Sequence, residues 1–132
     1  MDMEILVSSV LRSHGFAVSS DVLTVRAERV IVVDCHPNGA LLYTELDLKN
    51  GFAYNGNFFV PADRRHQGIG ARLLAAHEEI CRETQLTILI NKNRNQAFWK
   101  KNGYRKLNPF WQMRLARKLD VEFTKDSVYK SF

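Results

Sequence analysis

Residues 60–70 read VPADRRHQGIG. Two glycines, Gly68 and Gly70, stand one residue apart, behind Arg64 and Arg65 and ahead of a long amphipathic run. Glycine costs stability inside a helix, so a helix that opens on two of them has another use for that start. From Gly68 onward the apolar period becomes helical: Ile69, Leu73, Ala76 and Ile80 fall at i, i+4, i+7 and i+11, with Leu74 and Cys81 alongside. Arg72, Glu78, Glu79, Arg82 and Glu83 are read as the outer face, with Glu78–Arg82 a favourable i,i+4 pair. The stretch before it, Asn57-Phe58-Phe59-Val60, ends a strand. A strand that turns through glycines into a helix makes an anion site. The first helical N–H groups lack partners, the helix dipole is positive there, and glycine lets phosphate oxygens come near the backbone. Arg65 can add a bidentate charge-assisted contact. A Walker A loop would need Gly-Lys-Ser/Thr, but Ala71-Arg72 follows Gly70. A dinucleotide fingerprint would need a third glycine where Leu73 stands. Arg-x-x-Gly-x-Gly, filled by Arg65, Gly68 and Gly70, remains.

Upstream, residues 3–13 carry Ile5, Leu6, Val10 and Leu11 at helical spacing. Val22 to Arg26 alternates, Val30 to Val33 is a β-branched run, and residues 27–29 suit a hairpin turn. His36-Pro37-Asn38-Gly39 is a turn. Leu41 to Leu48 is a third strand, with Leu42, Thr44, Leu46 and Leu48 on one face and Leu41, Tyr43, Glu45 and Asp47 on the other. Asn50-Gly51 is a hairpin cue leading into the fourth strand. Downstream, Leu86 to Ile90 is a fifth strand, and a short helix over 95–101 ends at Asn102-Gly103. Tyr104 to Leu107 and Phe110 to Leu115 read as two last strands broken at Asn108-Pro109, followed by a polar, loosely held tail from Lys118. Helix, four meandering strands, helix, strand, helix and two strands make one α+β domain with a mixed, mainly antiparallel sheet. The fourth and fifth strands, joined through a helix, should be parallel neighbours.

The 132 residues are 45% hydrophobic and 25% charged, which suits one globular domain with a core that needs no disulfides. Cys35 and Cys81 form no CxxC pair, and Cys35-His36 lacks a second Cys/His pair to complete a metal site, so no metal is expected. No apolar segment is long enough for a membrane span, and Asp2 and Glu4 precede the N-terminal apolar run, so no signal peptide or membrane association is read and a cytoplasmic location is expected. The net charge of +5 favours an anionic partner, and most of the excess cations follow the glycine pair.

VPADRRHQGIGARLLAAHEE, then LTILIN, then NQAFWKKNGY, together resemble the GNAT N-acetyltransferase superfamily over about residues 53–116. The resemblance implies the GNAT acyltransferase fold, with about six to seven strands and a parallel, splayed fourth and fifth pair. It divides the single domain of residues 1–132 into an acceptor side (1–52), an acyl-CoA-binding core (53–116) and a C-terminal tail (117–132). It implies acetyl-CoA as cofactor. Arg65, His66, Gln67, Gly68, Ile69, Gly70 and Ala71 would surround the pyrophosphate. Phe58, Phe59 and Val60 would pair with the pantetheine arm through the backbone. Asn93 or Asn95 would reach the arm, and Phe98 would pack on the cofactor or the core. Where many family members carry a tyrosine able to protonate the leaving thiolate, this chain has Trp99, whose indole is a donor but no useful acid. Tyr54 or water is then left for that task. Tyr104, Trp111 and His77 are read as packing residues and His36 as a surface residue.

The family mechanism implies direct attack by an amine on the thioester within one complex. The Val60 N–H would donate to the thioester oxygen, and a carboxylate would take the ammonium proton. Glu45 is the candidate base, with Asp47 behind it; the same two acids also read as solvent-facing groups on one side of a strand. The acceptor is a primary amine on a small molecule, a protein lysine or an N-terminus, and the short N-terminal segment favours a bulky or exposed one. Two other readings stand beside this: a coenzyme A-binding regulatory or interaction module with weak catalysis, motivated by Trp99, and acetylation of an RNA-linked amine such as an aminoacyl-tRNA, motivated by the basic balance alone. A monomer or homodimer is expected.

Overall fold

The computed structural model describes residues 2–18, 23–26, 30–35, 39–65 and 67–132. Helix α1 spans Met3–Ser13 and starts at Asp2, whose Oδ1 accepts from the Glu4 and Ile5 N–H groups at 3.0 and 3.3 Å. Its inward stripe is Val7, Val10 and Leu11, while Ile5 faces solvent. Strands β1 (Leu23–Arg26), β2 (Val30–Cys35), β3 (Leu41–Asp47) and β4 (Phe52–Phe59) form an antiparallel meander. A short 3-10 turn, Ala62–Arg64, leads to α2 (Ile69–Glu83), which returns the chain to β5 (Thr87–Ile90), parallel to β4. Helix α3 (Gln96–Lys101), β6 (Arg105–Lys106), α4 (Pro109–Leu119) and β7 (Val128–Lys130) complete the described chain. The seven strands run in the order β1-β2-β3-β4-β5-β7-β6.

One face of the sheet buries Leu42, Leu46, Ile88 and Ile90 against α1, α2 and the Trp99 of α3. The other face packs Tyr54 and Leu89 against Leu115 and Leu119 of α4 and Val121 beyond it. Each face is apolar because β-strand side chains alternate, so both layers need a helix to cover them.

The second half departs from the sequence reading in two places. Phe110–Leu115 is not a strand; it lies within α4. Asn108 caps that helix by accepting from the Trp111 N–H at 2.9 Å, and Pro109 occupies the first turn, where its missing N–H costs nothing. The alternation of Trp111, Met113 and Leu115 misled because Phe110, Trp111 and Met113 are exposed, and the buried pair is Leu115 and Leu119, four apart. Trp111 is therefore no core residue. The chain beyond Lys118 is also no loose tail. Val121 and Ser127 are buried, and β7 inserts between β5 and β6. Lys130 Nζ donates to Glu78 Oε1 at 2.8 Å and to the Asn102 carbonyl at 2.9 Å, while Tyr104 Oη donates to Glu78 Oε2 at 3.1 Å. Glu78 thus faces the protein, not solvent, and its partners are Lys130 and Tyr104 in place of Arg82. Burial, and then the Glu78 carboxylate, push the Tyr104 phenol up.

If α4 packs through Leu115, Leu115→Ala should lower stability by about 2–5 kcal/mol, while Met113→Ala on the exposed side should change it by less than about 0.5 kcal/mol. Urea denaturation midpoints check the contrast; equal effects would show that the helix is packed differently.

Candidate active site

Parallel pairing between β4 and β5 is brief. Only Phe52↔Thr87 and Ala53↔Ile88 are in register, although β4 continues to Phe59 and β5 to Ile90. Beyond Ala53 the strands part, and a cleft of about 500 Å³ opens between them. Gly56, Asn57, Phe58 and Val60 line one wall. Ile90, Lys92 and Arg94 line the other. Asn95, Phe98 and Trp99 close it from α3, and Gly70 and Leu74 from α2. Its charged lining is Lys92 and Arg94, with no carboxylate, so the cleft suits an anionic ligand.

The floor of this cleft meets the start of α2. Gly68, its N-cap, has φ 76°, the left-handed region that favours glycine. No side chain caps the helix and its first turn has no acid. The N-terminal donors and the positive end of the dipole are therefore open to an anion. At Gly70 an added Cβ would meet only Val60 Cγ2 at 3.8 Å, so a side chain fits there without strain but projects beside the helix start. Arg65 is exposed, donates from Nε to the Val60 carbonyl at 3.0 Å, and lies with its guanidinium 5.9 Å from the Phe59 ring centre.

The other expected cofactor residues fall variously. Phe58, Val60, Gly70, Asn95, Phe98 and Trp99 come together on the cleft. Phe59 points to the other side of β4 and is half exposed, so only its backbone can serve. Gln67 and Ala71 are exposed beside Gly68, whereas Ile69 is buried in the core. His66 and His36 lie outside the described residues. Asn93 turns away from the cleft: its Nδ2 donates to the Asp126 carbonyl at 3.2 Å and its Oδ1 accepts from the Asn95 N–H at 2.9 Å. Asn95 caps α3 by accepting from the Phe98 N–H at 3.3 Å. Trp99 is buried in an aromatic group, with ring centres 4.8 Å from Tyr104, 5.1 Å from Phe98 and 6.0 Å from Phe58.

Glu45 and Asp47 are both buried, 3% exposed, which overturns their reading as solvent-facing acids. Asp47 builds the hairpin: its carboxylate accepts from the Asn50 N–H and Nδ2 at 3.0 and 2.8 Å, and from Tyr54 Oη at 3.4 Å. Tyr54 is thereby turned to the α4 side of the sheet, and it does not line the cleft. Glu45 sits opposite a bulge. Tyr43 pairs with Asn57 and Glu45 with Tyr54, so β4 carries one extra residue between them. Asn55, at φ 55°, lies in that bulge and donates from Nδ2 to Glu45 Oε2.

The sequence reading counted Lys92 and Arg94 only among the cations that follow the glycine pair, named Asn93 and Asn95, and missed Asn91. In Asn91-Lys92-Asn93-Arg94-Asn95 the three amides make internal hydrogen bonds while the two cations face the cleft. That alternation was visible in the sequence as a strand-like period running past the end of the fifth strand. Among the described residues no group of three His, Cys, Asp or Glu side chains could hold a metal ion. No helix among them is long and apolar enough to cross a membrane.

An α+β protein with a split parallel pair and an anion-receptive helix start at its base has the architecture of an acyl-CoA-dependent transferase. The chain belongs to the GNAT acetyltransferases: the family model described as an acetyltransferase (GNAT) domain matches residues 20–106. The family's cofactor is acetyl-CoA. Similar folds are found in a Bacillus anthracis protein described as a streptothricin acetyltransferase, crystallised with acetyl coenzyme A (21% identity, TM-score 0.51, 79% of this chain and 64% of that one). A Klebsiella pneumoniae protein described as an acyl-CoA N-acyltransferase is also similar (19%, 0.55, 94% and 83%). So is an acetyltransferase from Agrobacterium tumefaciens (19%, 0.53, 98% and 87%). The chain thus spans just under two thirds of the Bacillus protein. No curated protein matches the sequence.

Two outcomes follow from this geometry. Gly70→Asp places a carboxylate at the helix start and should abolish thermal stabilisation by acetyl-CoA, and Arg65→Ala should reduce it; differential scanning fluorimetry showing parental shifts in both would refute the anion site. The second concerns His77, which packs edge-on against Phe58 behind the cleft wall at 5.2 Å. Its Nε2 meets Thr44 Oγ1 at 3.1 Å, and its Nδ1 is buried with no hydrogen-bond partner among the described residues. Burial lowers its pKa from 6.5 to about 4. The unfolded chain therefore binds the proton first. The neutral imidazole's contribution is complete above about pH 6.5 and falls away toward pH 4, by about 3 kcal/mol in all. Stability measured across that window should decline less steeply in His77→Gln than in the parent.

Proposed function

We propose that the chain transfers an acetyl group from acetyl-CoA to a primary amine while both are bound. The observation that carries this is the continuity of the site: an uncapped glycine helix start, a basic cleft between parting strands, and a buried carboxylate beside the bulge where they part. When bound, acetyl-CoA supplies an acyl thioester, an electrophile whose sulfur departs as a thiolate. The N-terminal N–H groups of α2 and Arg65 would hold its phosphates. The unpaired edge of β4 over Phe58 to Val60 would hold the arm, with the Val60 N–H as a donor to developing negative charge on oxygen. Asn95 and Phe98 would bound the arm from α3. Holding the two reactants in one cleft supplies most of the acceleration, because it removes the entropy cost of their encounter.

Glu45 is the base in this reading. It would take a proton from the attacking ammonium, directly or through one water, and burial away from bulk solvent suits that exchange. The Tyr54 hydroxyl is bonded to Asp47, so water in the cleft is the better proton source for the departing sulfur. The alternative of a coenzyme A-binding module with little turnover is favoured by this same point, since neither Trp99 nor Tyr54 offers an acid there.

Incubation of the purified protein with acetyl-CoA and a panel of amines, peptides and lysate, read by intact mass, tests the reading. Acetylated product is expected from the parent. Glu45→Gln should lower kcat by about a hundredfold with acetyl-CoA binding retained. If acetyl-CoA stabilises the parent but nothing becomes acetylated, the binding-module reading replaces this one; Trp99→Tyr gaining turnover would then locate the deficit.

A further inference from the structure

Backbone pairing between β4 and β5 stops at Ala53↔Ile88, and at that level side chains take over the link. Asn91, the residue after β5, donates from Nδ2 to Asn55 Oδ1 and to the Glu122 carbonyl, both at 3.0 Å. Asn55 donates from its own Nδ2 to Glu45. A single amide in the β4 bulge thus spans from β5 to a carboxylate on β3.

The direction of these bonds is fixed. A backbone carbonyl can only accept, so Glu122 sets which end of the Asn91 amide faces inward. Asn91 then presents N–H to Asn55, whose oxygen must face it. The Asn55 amino group is left pointing at Glu45 and can serve only an accepting oxygen. Ser127 Oγ donates to the Asn91 carbonyl at 2.7 Å and holds the same residue from β7's side. The position of Asn55 is equally constrained. Its φ of 55° lies in the left-handed region, where asparagine is one of few residues besides glycine to sit readily.

We propose that Asn55, oriented by Asn91, is a positioning residue that aims the Glu45 carboxylate at the mouth of the split, so that the base and the walls of the cofactor cleft are set by one hydrogen-bonded chain. The inference rests on the acetyl-transfer reading above. It adds a specific dependence: the base is held from β5, the strand on the far side of the cleft. Transfer should therefore be sensitive to Asn55 and Asn91 even though neither is given a proton to move.

The test uses four variants of the full chain, one of them Glu45→Gln alone. Asn55→Gly keeps the left-handed backbone and removes the amide. It should lower kcat by about tenfold or more while KM for acetyl-CoA stays within about twofold. Asn55→Asp swaps the donor for an acceptor facing Glu45 and should lower both the denaturation midpoint and kcat. The double variant Glu45→Gln with Asn55→Asp restores a donor–acceptor pair with the polarity reversed. Its midpoint should recover above that of Asn55→Asp, yet its kcat should stay low, because Gln takes no proton. Parental kcat in Asn55→Gly, or a double variant no more stable than the two single effects added together, would overturn the proposal. A parent that acetylates no amine but shows the midpoint rescue would overturn the transfer reading, while confirming the hydrogen-bonded chain in the fold.

Discussion

The site depends on the early end of one ladder. Parallel β4 and β5 share two residue pairs and then separate, and a strand pair that separates leaves backbone N–H and C=O groups without partners. A folded protein meets that cost with side chains, with water or with a ligand. Here the step beyond Ala53 is bridged by side chains: Asn91 Nδ2 donates to Asn55 Oδ1, and Ser127 Oγ donates to the Asn91 carbonyl. Farther out, the strand edges over Gly56 to Val60 line a cleft, and an extended ligand arm with its own amides can take the place of the missing strand. The same separation gives room for the turn through Gly68, so the helix start of α2 faces the open end of the split and not a neighbouring strand.

Charge follows from the same arrangement. The loop after β5 still alternates as a strand would, so its asparagines turn inward to brace Glu122, Asp126 and α3 while Lys92 and Arg94 turn to the cleft. Positive side chains, an uncapped helix N-terminus and no lining carboxylate act in one direction. Of the nearby acids, Glu122 lies 3.9 Å from Lys92 in an exposed pair, Glu45 and Asp47 are buried on β3, and Glu78 is paired with Lys130. The basic surplus read from composition is therefore placed in part where an anionic cofactor would meet it, which weakens the case for a nucleic-acid partner as its explanation.

Most of the first ninety residues was legible because period and turn chemistry agreed. Alternation in β3, the Asn50-Gly51 hairpin and the i, i+4 stripe of α2 each predicted an element, and the apolar stripes their inner faces, while the burial of Glu45, Asp47 and Glu78 was not read. The failures share a physical cause. In α4, exposed Phe110, Trp111 and Met113 imitate a core stripe, and only the Asn108-Pro109 start betrays a helix. In β7, three residues suffice for a strand because neighbours on both sides hold them, and so short a strand has no period to read. At the site, the glycine turn was legible as local pattern. The Asn55–Asn91 contact was not, because it is made by two strands that meet only in space.

The C-terminal residues carry the further consequence. Expected as a tail, they form the strand that separates β5 from the sheet edge, and Ser127 bonds to the carbonyl of Asn91 from within that segment. The Glu122 carbonyl fixes the Asn91 amide, and the Asp126 carbonyl fixes Asn93. Lys130, joined to Glu78 on α2 and to Asn102 beyond α3, ties β7 to both helices that flank the cleft. A split sheet is easily widened unless its outer half is anchored, and here the anchor comes from the last dozen residues. The parting strands, the Asn91–Asn55–Glu45 chain and the packing of Trp99 against Tyr104 thus share one support. That support is made after the residues recognisable as a cofactor motif have ended, so in the proposed reading the motif would contact the cofactor while the C-terminal segment holds the elements that carry it.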